Sequence, residues 1–201
     1  MANALISAID SALRARQRIL EYSDRPNCIF RMHVAAAASD ITLSDATRIE
    51  AGSRLVNLHL WNERIPPFPD RGPTLSWARG LCHDFEISLG ELAAFIACHP
   101  ALDDVVAIAG NLVLSSPQKA QLLENLAARY GFVRAIDSGS RSASQRLHQL
   151  GENILISMIV ISFNPAAFRI DFLRRNRLQV YLHRAELMRR FGRRRKIDPS
   201  D

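Results

Sequence analysis

The first hundred residues change hydrophobic period several times, and each change predicts an element. Leu5, Ile6, Ile9, Leu13, Ile19 and Leu20 recur at helical spacing with arginines between them, which predicts a helix over residues 2–22. From Cys28 to Ala38 the period falls to two. Phe30, Met32 and Val34 alternate with Ile29, Arg31 and His33, the pattern of a strand. Residues 40–45 predict a short strand and a turn. Gly52-Ser53 then breaks the chain before a second strong strand over residues 55–61, so the front of the chain reads as an antiparallel meander.

Pro66, Pro67, Pro69 and Gly72 exclude regular structure over residues 62–73. Thr74 is the N-cap of a long helix to about Cys98 that turns Leu81, Phe85, Leu89, Leu92 and Ile96 inward, and His99-Pro100 ends it. Residues 105–110 are β-branched and apolar, which predicts a buried strand. Pro117 opens a helix that Gly131 closes after Tyr130. Beyond it the pattern predicts a strand over 132–136, a turn at Gly139-Ser140, an apolar helix over 142–163, a strand over 168–172 and a basic helix from about Val180 to Phe191. A meander followed by strand–helix–strand defines an α+β fold. The divisions are an N-terminal helical segment (1–24), one α+β domain (25–191) and a basic tail (192–201).

Composition narrows the class. With 201 residues and 48% hydrophobic content, the chain can bury one sizeable core. Its longest apolar run, 154–163, is far short of the roughly 20 residues that cross a bilayer. Asp10 and Arg14 interrupt the only candidate for a secretory leader. The cysteines Cys28, Cys82 and Cys98 form no CxxC pair, as expected of free thiols in a reducing compartment, so a cytoplasmic location is expected. The net charge of +6 is concentrated at one end: residues 168–201 hold 11 basic and 4 acidic side chains.

Candidate chemistry is sparse. Neither GxSxG, GxxxxGK[ST] nor GxGxxG occurs, which leaves hydrolase and P-loop readings without support. Cys82-His83 and Cys98-His99 resemble zinc-ligand pairs, but on a continuous helix 16 residues separate them by roughly 24 Å, so no metal site is expected there. The sharper cluster lies on the two strong strands. Asn57 and His59 share one face of their strand, as do Arg31 and His33 of theirs. If the strands are neighbours, His33, His59 and Asn57 converge beside Asn62-Glu63-Arg64 and form either a pocket for acid–base work or ligand binding, or a solvated sheet face. Arg189, Arg190, Arg193, Arg194, Arg195 and Lys196 place six cations within eight positions, a feature that could hold nucleic acid or anionic lipid weakly.

The segments LVNLHLWNERIPP, AIAG, RYGF and FRIDFLRRNRL together resemble the YkoP-like domain, with Leu58-His59 and Asn62 at matching positions and Ser53 where that pattern has Asp. The resemblance implies a binding or accessory domain, linked to envelope-glycan metabolism through the polysaccharide deacetylases to which such domains are appended. It marks His59, Asn62 and Asn57, with His33 and Arg64 behind them, as ligand-binding candidates for a small molecule or a protein partner. A looser similarity, in element order, is to the GCN5-related acyltransferases. That similarity implies acyl-CoA near loop 64–74, with His59 or Glu63 as base. The loop departs from it, offering three prolines and one glycine where small residues are usual.

Overall fold

The structure, a computed structural model, describes residues 19–67, 69, 74–114, 117–136 and 176–192. Its strands are β1 (Phe30–Ala36), β2 (Ile41–Thr42), β3 (Arg48–Ile49), β4 (Arg54–Leu60), β5 (Val105–Leu114), β6 (Val133–Arg134) and β7 (Asn176–His183). The helices are α1 (Leu75–Cys98), α2 (Pro117–Arg129) and α3 (Arg184–Phe191). The fold is a single α+β domain built on a five-stranded mixed sheet, in the order β1-β4-β5-β7-β6.

The period-two strands pair as their pattern requires. β1 and β4 run antiparallel, with Met32 opposite Leu58 and Val34 opposite Val56 on one face, and Arg31 opposite His59 and His33 opposite Asn57 on the other. The apolar face meets α1. Thr74 caps that helix by accepting a hydrogen bond from the Trp77 amide at 3.1 Å. Leu89, Leu92, Ala93 and Ile96 are fully buried in one cluster with Met32, Val56, Ile108 and Leu182. Removing each such leucine from water contributes about 2 kcal/mol. Ser88, also buried, accepts from the Ile29 amide at 2.8 Å and donates to the Asp84 carbonyl at 2.7 Å, which satisfies the polar groups where the chain enters β1.

Helix α1 returns the chain to β5, which runs parallel to β4. β5 then pairs antiparallel with β7, and β7 with β6. The expected meander is therefore interrupted: β1 and β4 are direct neighbours, while β2 and β3 form a separate hairpin. That hairpin reaches the opposite edge, where the Ser44 amide bonds the Arg134 carbonyl and the Ile136 amide bonds the Thr42 carbonyl, both at 2.8 Å. It buries Leu43 and Ile49 against Leu55, Ala107, Ala109 and Tyr181, so half of the second face becomes interior.

Two expectations change. Residues 19–22 do not continue a helix: Leu20 exchanges backbone hydrogen bonds with Met32 at the edge of β1, and Tyr22 is buried in the core. The basic helix begins at Arg184, not Val180, because Leu178, Val180 and Leu182 alternate on the face toward the core as a strand. Residues 1–18 of the expected first helix, the turn at 139–140, the helix over 142–163 and the strand over 168–172 lie outside the described residues.

Candidate ligand-binding site

The polar half of the second face begins where the hairpin cover ends. There β1 and β4 set His33 and His59 diagonally across the pair, with ring centroids 4.8 Å apart and His33 Nδ1 2.6 Å from His59 Nε2. Asn57, directly opposite His33, places its Nδ2 3.4 Å from His33 Nε2. A carboxamide nitrogen can only donate, so His33 Nε2 accepts and its proton sits on Nδ1. With the Asn57 nitrogen as donor, the bonds run in one direction, from Asn57 to His33 to His59. All three residues are half-buried. Burial holds the His33 imidazole below its ordinary range, so His33 is neutral at pH 7. Two imidazoliums at this separation would repel strongly.

The pair stands at a divergence. Among the described residues the parallel β4–β5 ladder ends at Asn57↔Ala109, although β4 runs on to Leu60 and β5 to Leu114. Ligands of open sheets collect outside the carboxyl ends of parallel strands, where neighbouring chains part and leave a crevice. His59 lies beyond the last rung, and Asn57 is on it.

Arg64 is occupied otherwise. Its guanidinium stacks 3.4 Å from the centre of the Trp61 ring and donates to the carbonyls of Arg25 at 2.6 Å and Ser23 at 3.4 Å. Arg31 covers Trp61 as well, at 4.0 Å, and pairs with Glu21 at 3.2 Å and Glu63 at 4.0 Å. The two arginines thus fasten the segment before β1 to the turn after β4, with Arg31 on the same face of the sheet as the histidines. Asn62 opens a short 3-10 turn, Asn62–Arg64, and its side chain lies outside the described residues. Helix α1 is continuous between Cys82 and Cys98, which separates the two Cys-His pairs as expected. Among the described residues no three His, Cys, Asp or Glu side chains gather as metal ligands, and no helix is long and apolar enough to cross a membrane.

Two of the six clustered cations are engaged within α3. Arg189 donates twice to Glu186 at 2.7 Å, and Arg190 bonds Glu186 and the Arg129 carbonyl. These bonds hold the Glu186 carboxyl down at about 2. The apolar face of α3, Leu187 and Phe191, is buried, so Arg189 and Arg190 belong to a packed helix. Arg193, Arg194, Arg195 and Lys196 lie outside the described residues. A groove of about 560 Å³ between the hairpin turn, α2 and α3 had no sequence signal. Arg134 pairs there with Glu124 at 3.5 Å, and the His183 ring lies 3.5 Å from Asp45. Burial raises Asp45, but its bonds to Thr47 and the nearby His183 outweigh that and leave it below the ordinary carboxylate range.

A mixed sheet with helices packed on one face and the His33, Asn57 and His59 side chains at the end of its parallel pair defines an α+β domain with a polar cluster on its second face. The chain matches the family model of the YkoP domain over residues 2–120, more than half of its length, and belongs to that family. The matched stretch includes His33, Asn57, His59, Asn62 and Arg64, whereas the RYGF and FRIDFLRRNRL segments fall beyond it. No curated protein and no solved structure matches the chain.

Proposed function

We propose that this domain binds a polar small molecule in the crevice at the carboxyl ends of β4 and β5, with His33, Asn57 and His59 as one wall. The observation that carries the reading is the 2.6 Å contact of His33 with His59, extended by Asn57, at the last rung of the parallel ladder. A directed chain of neutral donors and acceptors orients a ligand without demanding that it carry charge. A place in envelope-glycan metabolism, as an accessory to enzymes acting on such polymers, is the biological setting we assign. A cytoplasmic location belongs to the same reading and is supported by the three free cysteines. Calorimetric titration with a soluble N-acetylglucosamine oligomer is the test. Heat in the wild type that vanishes in His59→Ala and Asn57→Ala supports the reading; no heat, or equal heat in the variants, overturns it.

One observation favours a CoA-dependent acyltransferase instead: the diverging parallel pair joined through a long helix, with His59 or Glu63 near its opening. The described part of the loop does not fit acyl-CoA. Pro66, Pro67 and Pro69 lack the amide a pyrophosphate needs, and the Trp77 amide is taken by Thr74. No step is assigned to that cofactor. A thermal shift with acetyl-CoA would restore this reading.

A further inference from the structure

Across the crevice from the histidines, the sheet carries hydrogen-bonding side chains that the proposed function has not used. Asn111 of β5 stands in register with Gln179 of β7, one step along from Ala109↔Tyr181. Residues two apart on a strand share a face. Ala109 and Tyr181 pack with Leu55 on the hairpin side, so Asn111 and Gln179 project on the same face as Asn57 and His59. Both are exposed, and the buried Tyr181 ring donates its hydroxyl to Gln179 Oε1 at 3.3 Å. Because the β4–β5 ladder stops at Asn57↔Ala109, His59 and Asn111 lie on the two arms of the divergence.

We infer that Asn111, Gln179 and Tyr181 form the second wall of this crevice, and that its ligand is an uncharged molecule bearing several hydroxyl or amide groups. The inference rests on the first wall being a ligand site. Among the described side chains, those that hydrogen-bond on the two walls are imidazoles, carboxamides or a phenol. Burial lowers the His33 pKa and raises that of Tyr181, which keeps both neutral at pH 7. The charged neighbour in register with His59, Arg31, is engaged by Glu21 and Glu63. Among the described side chains of the two walls, an ionised ligand would lose water without gaining a counter-charge. Hydroxyl and amide groups both donate and accept, as do the side chains that face them. From β4 to β7 is two strand spacings, about 10 Å, which exceeds one six-membered ring and favours an extended ligand.

The full chain, isotopically labelled, is titrated with three probes: the uncharged dimer of N-acetylglucosamine, its cationic de-acetylated form, and anionic glucuronate. The uncharged dimer is expected to shift the His33 and His59 imidazole resonances together with the Asn111 and Gln179 carboxamides, and to bind at least tenfold more tightly than either charged probe. Asn111→Ala and Gln179→Ala, at exposed positions that leave the fold intact, should each weaken it roughly five- to tenfold. Shifted imidazoles with silent carboxamides would remove the second wall and leave the first. Equal or tighter binding of a charged probe would overturn the ligand class. Silence at both sets of resonances with all three probes would remove both walls.

Discussion

His33 and His59 do not face each other in the β1–β4 register, yet their rings meet: Nδ1 of one lies 2.6 Å from Nε2 of the other. Each is offset by two residues from the other's cross-strand partner, so the contact runs along a diagonal of the sheet. It needs both strands in this register, and slipping either by one residue would send the imidazoles to opposite faces.

Replacing His33 by Ala removes the central member of the chain and one hydrogen bond to each neighbour. We expect a loss of about 1–2 kcal/mol in unfolding free energy, with cooperative unfolding retained. Denaturant titration measures it. A loss as large as that of a core leucine would mark the histidine as structural.

Acid should weaken the fold through the same residue. The folded-state pKa of His33 lies below its ordinary 6.5, so the unfolded chain binds more protons between the two values. The stability linked to neutral His33 is complete above pH 6.5 and declines as pH falls through the folded value. His33→Gln should flatten that slope in a series of melts from neutral to mildly acidic pH. Glu186 acts lower: held at about 2, it contributes above its ordinary 4.5 and loses that contribution as pH falls toward 2.

Ser88→Ala should cost about 1–3 kcal/mol although it deletes one oxygen, because the Ile29 amide would be left buried without its acceptor. Ser88→Thr keeps the hydroxyl but adds a methyl group at a fully buried site, so it tests packing separately. Equilibrium unfolding of both variants separates the two contributions. No loss in Ser88→Ala would show that water reaches the Ile29 amide.

Much of this was legible because its causes are local. Thr74 and His99-Pro100 bound α1 by capping and by the missing proline amide, and Gly131, at φ 89°, ends the turn after α2 as its position suggested. The parity of His33, Asn57 and His59 follows from the two-residue repeat, so their convergence needed only the pairing of β1 with β4. What stayed hidden depends on distant partners. The link from the β2–β3 hairpin to β6 spans about ninety residues of chain. β7 was obscured by its composition: Arg177, His183 and Arg184 flank an alternation that the basic run beyond it made look helical. Arg64, beside the histidines in sequence, is drawn away by Trp61 and by carbonyls that no local pattern reveals.

Deleting residues 193–201 should leave the melting temperature nearly unchanged and abolish retention on heparin at low salt. Glu186 engages Arg189 and Arg190, so the weak polyanion contact expected of the basic run is assigned to Arg193, Arg194, Arg195 and Lys196 in this prediction. Several exposed phosphate-type contacts release counterions, so retention by the full chain should fall steeply as salt rises. Unchanged retention after truncation would place the polyanion contact elsewhere.

Nitrogen NMR of the imidazoles tests most directly whether His33 and His59 form one directed unit that meets a ligand. At pH 7 the expected result is a proton on His33 Nδ1, lone pairs on His33 Nε2 and His59 Nε2, and joint movement of both rings when the N-acetylglucosamine oligomer is added. Two rings that titrate independently near 6.5 and ignore the oligomer would contradict it.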